Sequence, residues 1–151
     1  MQLADLLTID RIRIPLEGTS MDELLRELVT VLAESDGIAD RDLVLQAVRD
    51  REAILSTGIG HGVAIPHGKS AAVPELRMAA GRTSVPVDFD ALDGQPVQLV
   101  FLLVGPESAA GPHIKALSRI SRLVRREDVR ERLVRAGSAG EFLDTLREAE
   151  A

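Results

Sequence analysis

The sequence predicts an α/β sandwich, and three observations carry that expectation. Amphipathic helical periods occupy both ends of the chain, and a β-rich stretch fills the middle. Residues 97–104 (VQLVFLLV) are apolar at every position but Gln98 and do not alternate. Such a run reads as a central strand buried on both faces, which requires helices around the sheet.

The elements follow in order. Ile12 and Ile14 alternate with Arg11 and Arg13 before Pro15, which predicts a short strand with one buried face. Ser20-Met21-Asp22-Glu23 has the form of a capping box, and Leu24, Leu25, Leu28, Val29 and Leu32 follow at helical spacing. A second helix is expected to start near Asp40, with Leu43, Val44, Ala47 and Val48 as its apolar stripe and Arg51 at its end. Residues 56–70 (STGIGHGVAIPHGKS) lose the helical period. Val63-Ala64-Ile65 reads there as a short buried strand ended by Pro66. Residues 76–84 and 85–89 are plausible strands, and Asp93-Gly94 marks a turn. The central strand stops at Gly105-Pro106, and Pro112 is placed at the first position of a helix. Ile114, Leu117, Ser121 and Val124 form one face of that helix, with Arg119, Arg122 and Arg126 on another. Gly137 ends a short helix, and Ser138-Ala139-Gly140-Glu141 caps a last one carrying Phe142, Leu143 and Leu146.

Composition narrows the function classes. The 151 residues suit one domain, and 45% hydrophobic with 28% charged residues is a globular balance. A net charge of −6 argues against general nucleic-acid binding. The chain has no Cys, Trp or Tyr and three Phe, which excludes disulfides, thiolate metal sites, thiol catalysis and aromatic stacking platforms. A cysteine-free chain fits a reducing cytoplasm. The run 99–104 is far shorter than a bilayer span, and MQLADLLTIDRIRIPL lacks a signal peptide's basic start and apolar run. A cytoplasmic protein without membrane insertion is expected.

Chemistry concentrates on three histidines, His61, His67 and His113. Two lie among glycines 58, 60, 62 and 68, which let backbone amides approach an oxyanion without Cβ obstruction. His113 follows Pro112 in a first helical turn, where the helix field favours an anion and disfavours imidazolium. A neutral, hydrogen-bond-donating His113 and a histidine that merely accompanies a helix start are weighed evenly. Arg51 has a plain role as a cation at a helix C-terminus, and taken alone that reading outweighs a contact to a phosphoryl group.

Other motifs fail on spacing. Residues 62–70 imitate a phosphate-binding P-loop, but five residues separate Gly62 from Gly68, Pro66 lies inside, and Pro74 leaves no room for the required helix. Gly58-Ile59-Gly60-His61-Gly62 is not a dinucleotide fingerprint, and Ser56, Thr57 and Ser70 lack a nucleophile elbow. No HxxxH or HExxH pair supports a metal. Seven arginines in residues 119–135 face Glu127, Asp128 and Glu131, which reads as a solvated helical surface in preference to an acidic partner's docking site.

Arg51-Glu52, Ser56-Thr57-Gly58-Ile59-Gly60, and Gly62-Val63-Ala64-Ile65-Pro66-His67-Gly68-Lys69 together resemble the fructose/mannitol-type IIA domain of the phosphoenolpyruvate-dependent sugar phosphotransferase system. The similarity continues through PVDFDALDGQPV (residues 86–97), the strand to Val104 and the helix beginning His113-Ile114-Lys115. It covers almost the whole chain, as one domain over residues 1–151. The resemblance implies a mixed sheet flanked by helices on both faces. It also implies that His67 accepts a phosphoryl group from the phosphohistidine of HPr or a nitrogen-branch relative of it. His113 and Arg51 match the family's other active-site residues, and Gly58, Gly60, His61, Gly62 and Gly68 would support the phosphate. His61 stands where members usually carry Asn, and it either donates to the phosphate or faces solvent. The scheme requires no cofactor and no metal.

Two functions stay open. One is a sugar-uptake component that passes the group to a IIB subunit. The other, favoured here, is a regulator of the nitrogen-related branch that binds a target protein according to its phosphorylation. A binding module that does not transfer is a third reading, and the oligomeric state, a homodimer included, is open.

Overall fold

The structure is a computed structural model that describes residues 2–36, 38 and 40–151. Short 3-10 turns at Leu3–Asp5 and Ile9–Arg11 lead into β1 (Ile12–Leu16), α1 (Met21–Asp36) and α2 (Arg41–Ile54). Three short strands follow, β2 (Gly58–Gly60), β3 (Val63–Ala64) and β4 (His67–Lys69), then two long ones, β5 (Arg77–Val87) and β6 (Val97–Gly105). A 3-10 turn at Glu107–Ala109 opens onto α3 (Ala110–Val124), α4 (Glu127–Arg135) and α5 (Ala139–Glu150). Among the described residues no helix is long and apolar enough to cross a membrane.

The six strands form one mixed sheet in the order β1-β5-β6-β3-β2, with β4 also on β6. β5 and β6 run antiparallel, whereas β1 joins β5 and both β3 and β4 join β6 in parallel. Side chains alternate across β6. Leu99, Phe101 and Leu103 enter a core under α3, α4 and α5, while Val100, Leu102 and Val104 enter a second core under α1 and α2. The uninterrupted apolar run of β6 is therefore explained by helices on both faces, as the sequence predicts.

The helix starts also follow their signals. Ser20 Oγ accepts from Glu23 N at 3.2 Å, although the Glu23 carboxylate accepts from the Thr19 hydroxyl instead of returning to Ser20. Asp40 caps α2 by accepting from Leu43 N at 3.1 Å, and Ser138 caps α5 by accepting from Glu141 N at 3.2 Å.

Several local expectations are corrected. Leu43 is 50% exposed, and Leu45 takes its place in the core. The two strands expected over 76–84 and 85–89 are one, β5 (Arg77–Val87), because a register irregularity between Arg82 and Val87 absorbs Pro86 without breaking the pairing. α3 begins at Ala110, so Pro112 is its third residue. That position costs no hydrogen bond, since the first four helical N–H groups have no partner within the helix. The buried face of α3 is His113, Ala116, Ile120 and Val124, leaving Ile114 67% exposed. The arginine-rich stretch is satisfied locally: Arg126 pairs with Asp128, Arg132 with Glu148, and Arg130 donates to the carbonyls of Val124 and Arg125.

Gly81 lets β1 lie against β5. A Cβ there would stand 2.4 Å from Arg13 O and 2.7 Å from Leu16 Cγ. Backbone cannot yield that space as a flexible side chain would. Gly81→Ala is expected to lower unfolding free energy by about 1–3 kcal/mol in urea titrations. Gly111→Ala, with no atom within 4 Å of the added Cβ, should change it by less than about 0.5 kcal/mol.

Candidate active site

The nucleophile candidate is positioned by strand pairing. Val63, Ala64, His67, Gly68 and Lys69 pair with Leu99, Val100, Leu103, Val104 and Gly105 in one unbroken register along β6. Pro66 ends β3 as predicted, yet its carbonyl still accepts from Leu103 N at 3.0 Å, so the chain resumes pairing at His67. Gly68 then brings the second element in. A Cβ on Gly68 would stand 3.1 Å from the backbone of Ala47 and Val48, so α2 rests directly on β4. Arg51 lies one helical turn beyond Ala47 on that same side, which carries it to His67.

The two histidines face each other at the end of the sheet. Their ring centroids are 5.3 Å apart at 66°, an edge-on arrangement. His67 Nδ1 lies 2.9 Å from Ile65 O. A carbonyl only accepts, so Nδ1 carries the proton and Nε2 keeps the lone pair. Burial lowers the His67 pKa; the Ile65 bond and Glu52 oppose this, while Arg51 and Lys69 add to it. His113 is 5% exposed, and its Nε2 is buried without a protein partner. Burial first, then the charges of His67 and Lys69, lower its pKa to about 4. Both rings are neutral at neutral pH.

A cleft of about 370 Å³ is lined by Arg51, His67, Gly68, Lys69, His113 and Ile114. Arg51 also fulfils its plain role, since Nη1 donates to Leu55 O at 2.8 Å across the end of α2. The two readings of Arg51 are thus compatible. An unprotonated imidazole nitrogen beside two cations and a neutral histidine is a setting for attack on a dianionic electrophile. Among the described residues no cluster of three or more His, Cys, Asp or Glu is arranged to hold a metal ion.

The cleft gathers His67, His113, Arg51 and Gly68 but not Gly58, Gly60, His61 or Gly62. Those four belong to the β2–β3 hairpin, where Gly60, His61 and Gly62 have φ of 98°, 57° and 76°. Asp93 Oδ2 accepts from His61 N at 3.0 Å, and Gly62 O accepts from Gln98 N at 2.8 Å. The register sets Val63 opposite Leu99 and His67 opposite Leu103. Four residue steps, about 13 Å, separate Val63 from His67 along the sheet. The residues expected to support the phosphate thus lie outside the cleft, apart from Gly68: positive φ accounts for Gly60 and Gly62, close packing on Ala91 for Gly58, and His61 is exposed.

Two residues of the site were not singled out from the sequence. Lys69 shares a strand face with His67 by simple alternation, a signal that could have found it. Glu52 is 7% exposed and accepts from Thr57 N at 2.8 Å and Thr57 Oγ1 at 2.5 Å. Nothing in its spacing marks it as a buried carboxylate.

Comparison with known proteins agrees with this fold. The family described as "Phosphoenolpyruvate-dependent sugar phosphotransferase system, EIIA 2" matches residues 5–149. A nitrogen regulatory protein of Bradyrhizobium diazoefficiens is 41% identical over 133 residues, covering 88% of this chain and 86% of that protein. A fructose-specific EIIABC component of Bacillus subtilis is 39% identical over 98% of this chain, but the chain spans only 23% of that protein's length. The crystal structure of nitrogen regulatory protein IIA-Ntr from Neisseria meningitidis superposes with a TM-score of 0.88 at 37% identity, covering 95% of this chain and 98% of that one. IIA mannitol from Escherichia coli shares the fold at TM-score 0.78 and 23% identity, over 93% and 98% of the respective chains. With its mixed sheet between two helical layers and a family match spanning nearly every residue, the chain belongs to the EIIA 2 family of the phosphoenolpyruvate-dependent sugar phosphotransferase system.

Proposed function

We propose that this protein is a phosphoryl carrier in which Nε2 of His67 accepts the group from the phosphohistidine of HPr or a nitrogen-branch HPr-like carrier. The observation that supports this most directly is the Nδ1–H bond to Ile65 O at 2.9 Å, which leaves Nε2 as the nucleophilic nitrogen. As the Nε2 lone pair forms the new N–P bond, the donor's N–P bond breaks and its pair returns to the donor imidazole. Phosphoryl transfer asks chiefly for positioning and charge stabilisation. Arg51 and Lys69 offset the charge on the phosphoryl oxygens. His113 Nε2 has no protein partner and serves as a hydrogen-bond donor to one of those oxygens. Burial first, and then the charges of His67 and Lys69, keep it neutral, so it donates without adding charge.

The nitrogen-regulatory reading is preferred. The similarity to proteins of that name runs over 86% of the Bradyrhizobium relative and 98% of the Neisseria structure. On this reading the receiving partner is a target protein whose binding responds to phosphorylation, and the chain works in the cytoplasm. The 39% identity to a fructose-specific EIIABC component favours the second reading, in which a IIB component receives the group.

Intact-mass analysis after incubation with phosphoenolpyruvate, enzyme I and HPr tests the carrier. A single acid-labile phosphoryl adduct is expected, absent from His67→Ala. No adduct from either sugar-type or nitrogen-type donors would leave a module that binds without transferring. Arg51→Ala should slow acceptance about 100-fold, the scale of losing one charge-stabilising donor. His61→Asn, remote from the cleft, should leave the rate within about twofold at every pH from 5.5 to 8.

The His113 pKa also fixes a pH dependence of stability. Its folded pKa of about 4 lies below the ordinary 6.5, so the unfolded chain binds the extra proton first. Stability from this group is therefore complete above about pH 6.5 and is lost as pH falls toward 4. Between pH 7 and 4.5, wild type should lose about 2 kcal/mol more than His113→Gln in urea titrations. Equal losses would mean that His113 titrates normally.

A further inference from the structure

We propose that Glu52 is a positioning residue for the nucleophile, acting on His67 through Thr57 and Ile65; this rests on the carrier reading above. The observation is an unbroken set of hydrogen bonds. His67 Nδ1 donates to Ile65 O at 2.9 Å, Ile65 N donates to Thr57 O at 3.0 Å, and Thr57 N donates to Glu52 Oε2 at 2.8 Å. The Thr57 hydroxyl donates to the other carboxylate oxygen at 2.5 Å. Every donor points the same way, toward a carboxylate on a residue only 7% exposed.

Burying a carboxylate is costly unless its oxygens are satisfied. Here both oxygens are bound to a single residue, Thr57, which lies in the short connection after α2 and directly precedes β2. That spends a buried charge on one backbone position, the one whose carbonyl fixes Ile65. Ile65 in turn aims its carbonyl at the imidazole. Ile65 N and Ile65 O belong to different peptide groups, as do Thr57 N and Thr57 O. The chain therefore transmits geometry from link to link, and the charge of Glu52 reaches the ring through space.

Both effects favour phosphorylation at Nε2. The geometric one selects the Nδ1–H tautomer and holds the ring in line with the cleft. The electrostatic one answers a charge change in the reaction itself. When the Nε2 lone pair forms the N–P bond while Nδ1–H is kept, the ring becomes positive. Arg51 and Lys69, which steady the phosphoryl oxygens, oppose that charge on the ring, and Glu52 is the anion that compensates. A buried carboxylate that orients an imidazole and stabilises its cation is a known device of nucleophilic catalysis, here with two residues interposed.

The test compares wild type, Glu52→Gln and Thr57→Ser by ¹⁵N NMR of the histidine ring and by single-turnover transfer from phosphorylated HPr. Glu52→Gln presents an amide N–H₂ to one Thr57 donor. It should shift His67 from a dominant Nδ1–H form toward a tautomer mixture. Acceptance at saturating donor should fall about 10–100-fold, with the half-saturating donor concentration unchanged. Thr57→Ser keeps both bonds and should behave as wild type. If Glu52→Gln fails to fold, Thr57→Val, which removes only the hydroxyl bond, should show the same changes in smaller degree. Unchanged ring spectra together with rates within twofold in the folded variants would overturn the proposal. Failure of wild type to accept phosphate from any donor would instead overturn the carrier reading, and the ring spectra would still decide whether Glu52 sets the tautomer.

Discussion

The close approach of α2 to β4 is the constraint on which the site depends. Helix–sheet packing ordinarily leaves room for a side chain between backbones, but at Gly68 a Cβ would stand 3.1 Å from Ala47 and Val48. With no side chain there, the middle of α2 rests on the strand that carries His67, and its last turn reaches the cleft. Two consecutive helical residues then serve different ends. Arg51 turns its guanidinium to the cleft rim and the Leu55 carbonyl, while Glu52 goes inward to Thr57. The rest of the fold supplies the opposing wall, since β6 runs through Gly105 and a single 3-10 turn into α3, which carries His113.

The site is electrostatically expensive. Two imidazoles stand edge to face, one of them buried, beside Arg51 and Lys69. The buried Nε2 of His113 has no protein partner, a loss of about 1–3 kcal/mol for such a group. Natural folds tolerate deficits of this kind chiefly where a ligand later repairs them. Both hydrophobic cores are continuous and far larger than the cleft, so the scaffold absorbs the deficit. On the carrier reading, phosphorylation removes it: the phosphoryl oxygens accept from His113 and meet the cations.

How much of this was legible in the sequence depends on whether the signal was local. β6 and the caps Ser20, Asp40 and Ser138 were readable because unbroken apolarity and cap chemistry are local properties. His67, His113 and Arg51 were named through their resemblance to a family, not by spacing, since 45 residues lie between the two histidines in the chain. What failed was register. Glycine content signals backbone freedom without saying whether it serves a ligand or a turn, and only the pairing of Val63 with Leu99 shows that the hairpin lies away from the cleft. Leu43 and Leu45 are equally apolar and lie in the same helical stretch, so their opposite fates follow from how α2 rolls onto β4. Glu52 was invisible for a related reason. A carboxylate in a helix reads as solvent-facing until its partner five residues on folds back onto it.

On the carrier reading, the rim of the cleft would link transfer to recognition. Ile114, 67% exposed, lines the cleft, and Leu55, 60% exposed, holds Arg51 through its carbonyl, so apolar surface lies beside the charged centre. A phosphoryl group adds about −1.5 to −2 charges at neutral pH. Placed between Arg51 and Lys69, it would cancel the positive centre of this face while leaving the apolar rim unchanged. A donor and a downstream protein would thus meet the same rim but different central charge. Desolvated charge complementarity discriminates between partners more sharply than apolar contact does. If His67 is the acceptor, the same chemistry would be sufficient to make its phosphorylation readable by another protein, with no separate conformational switch.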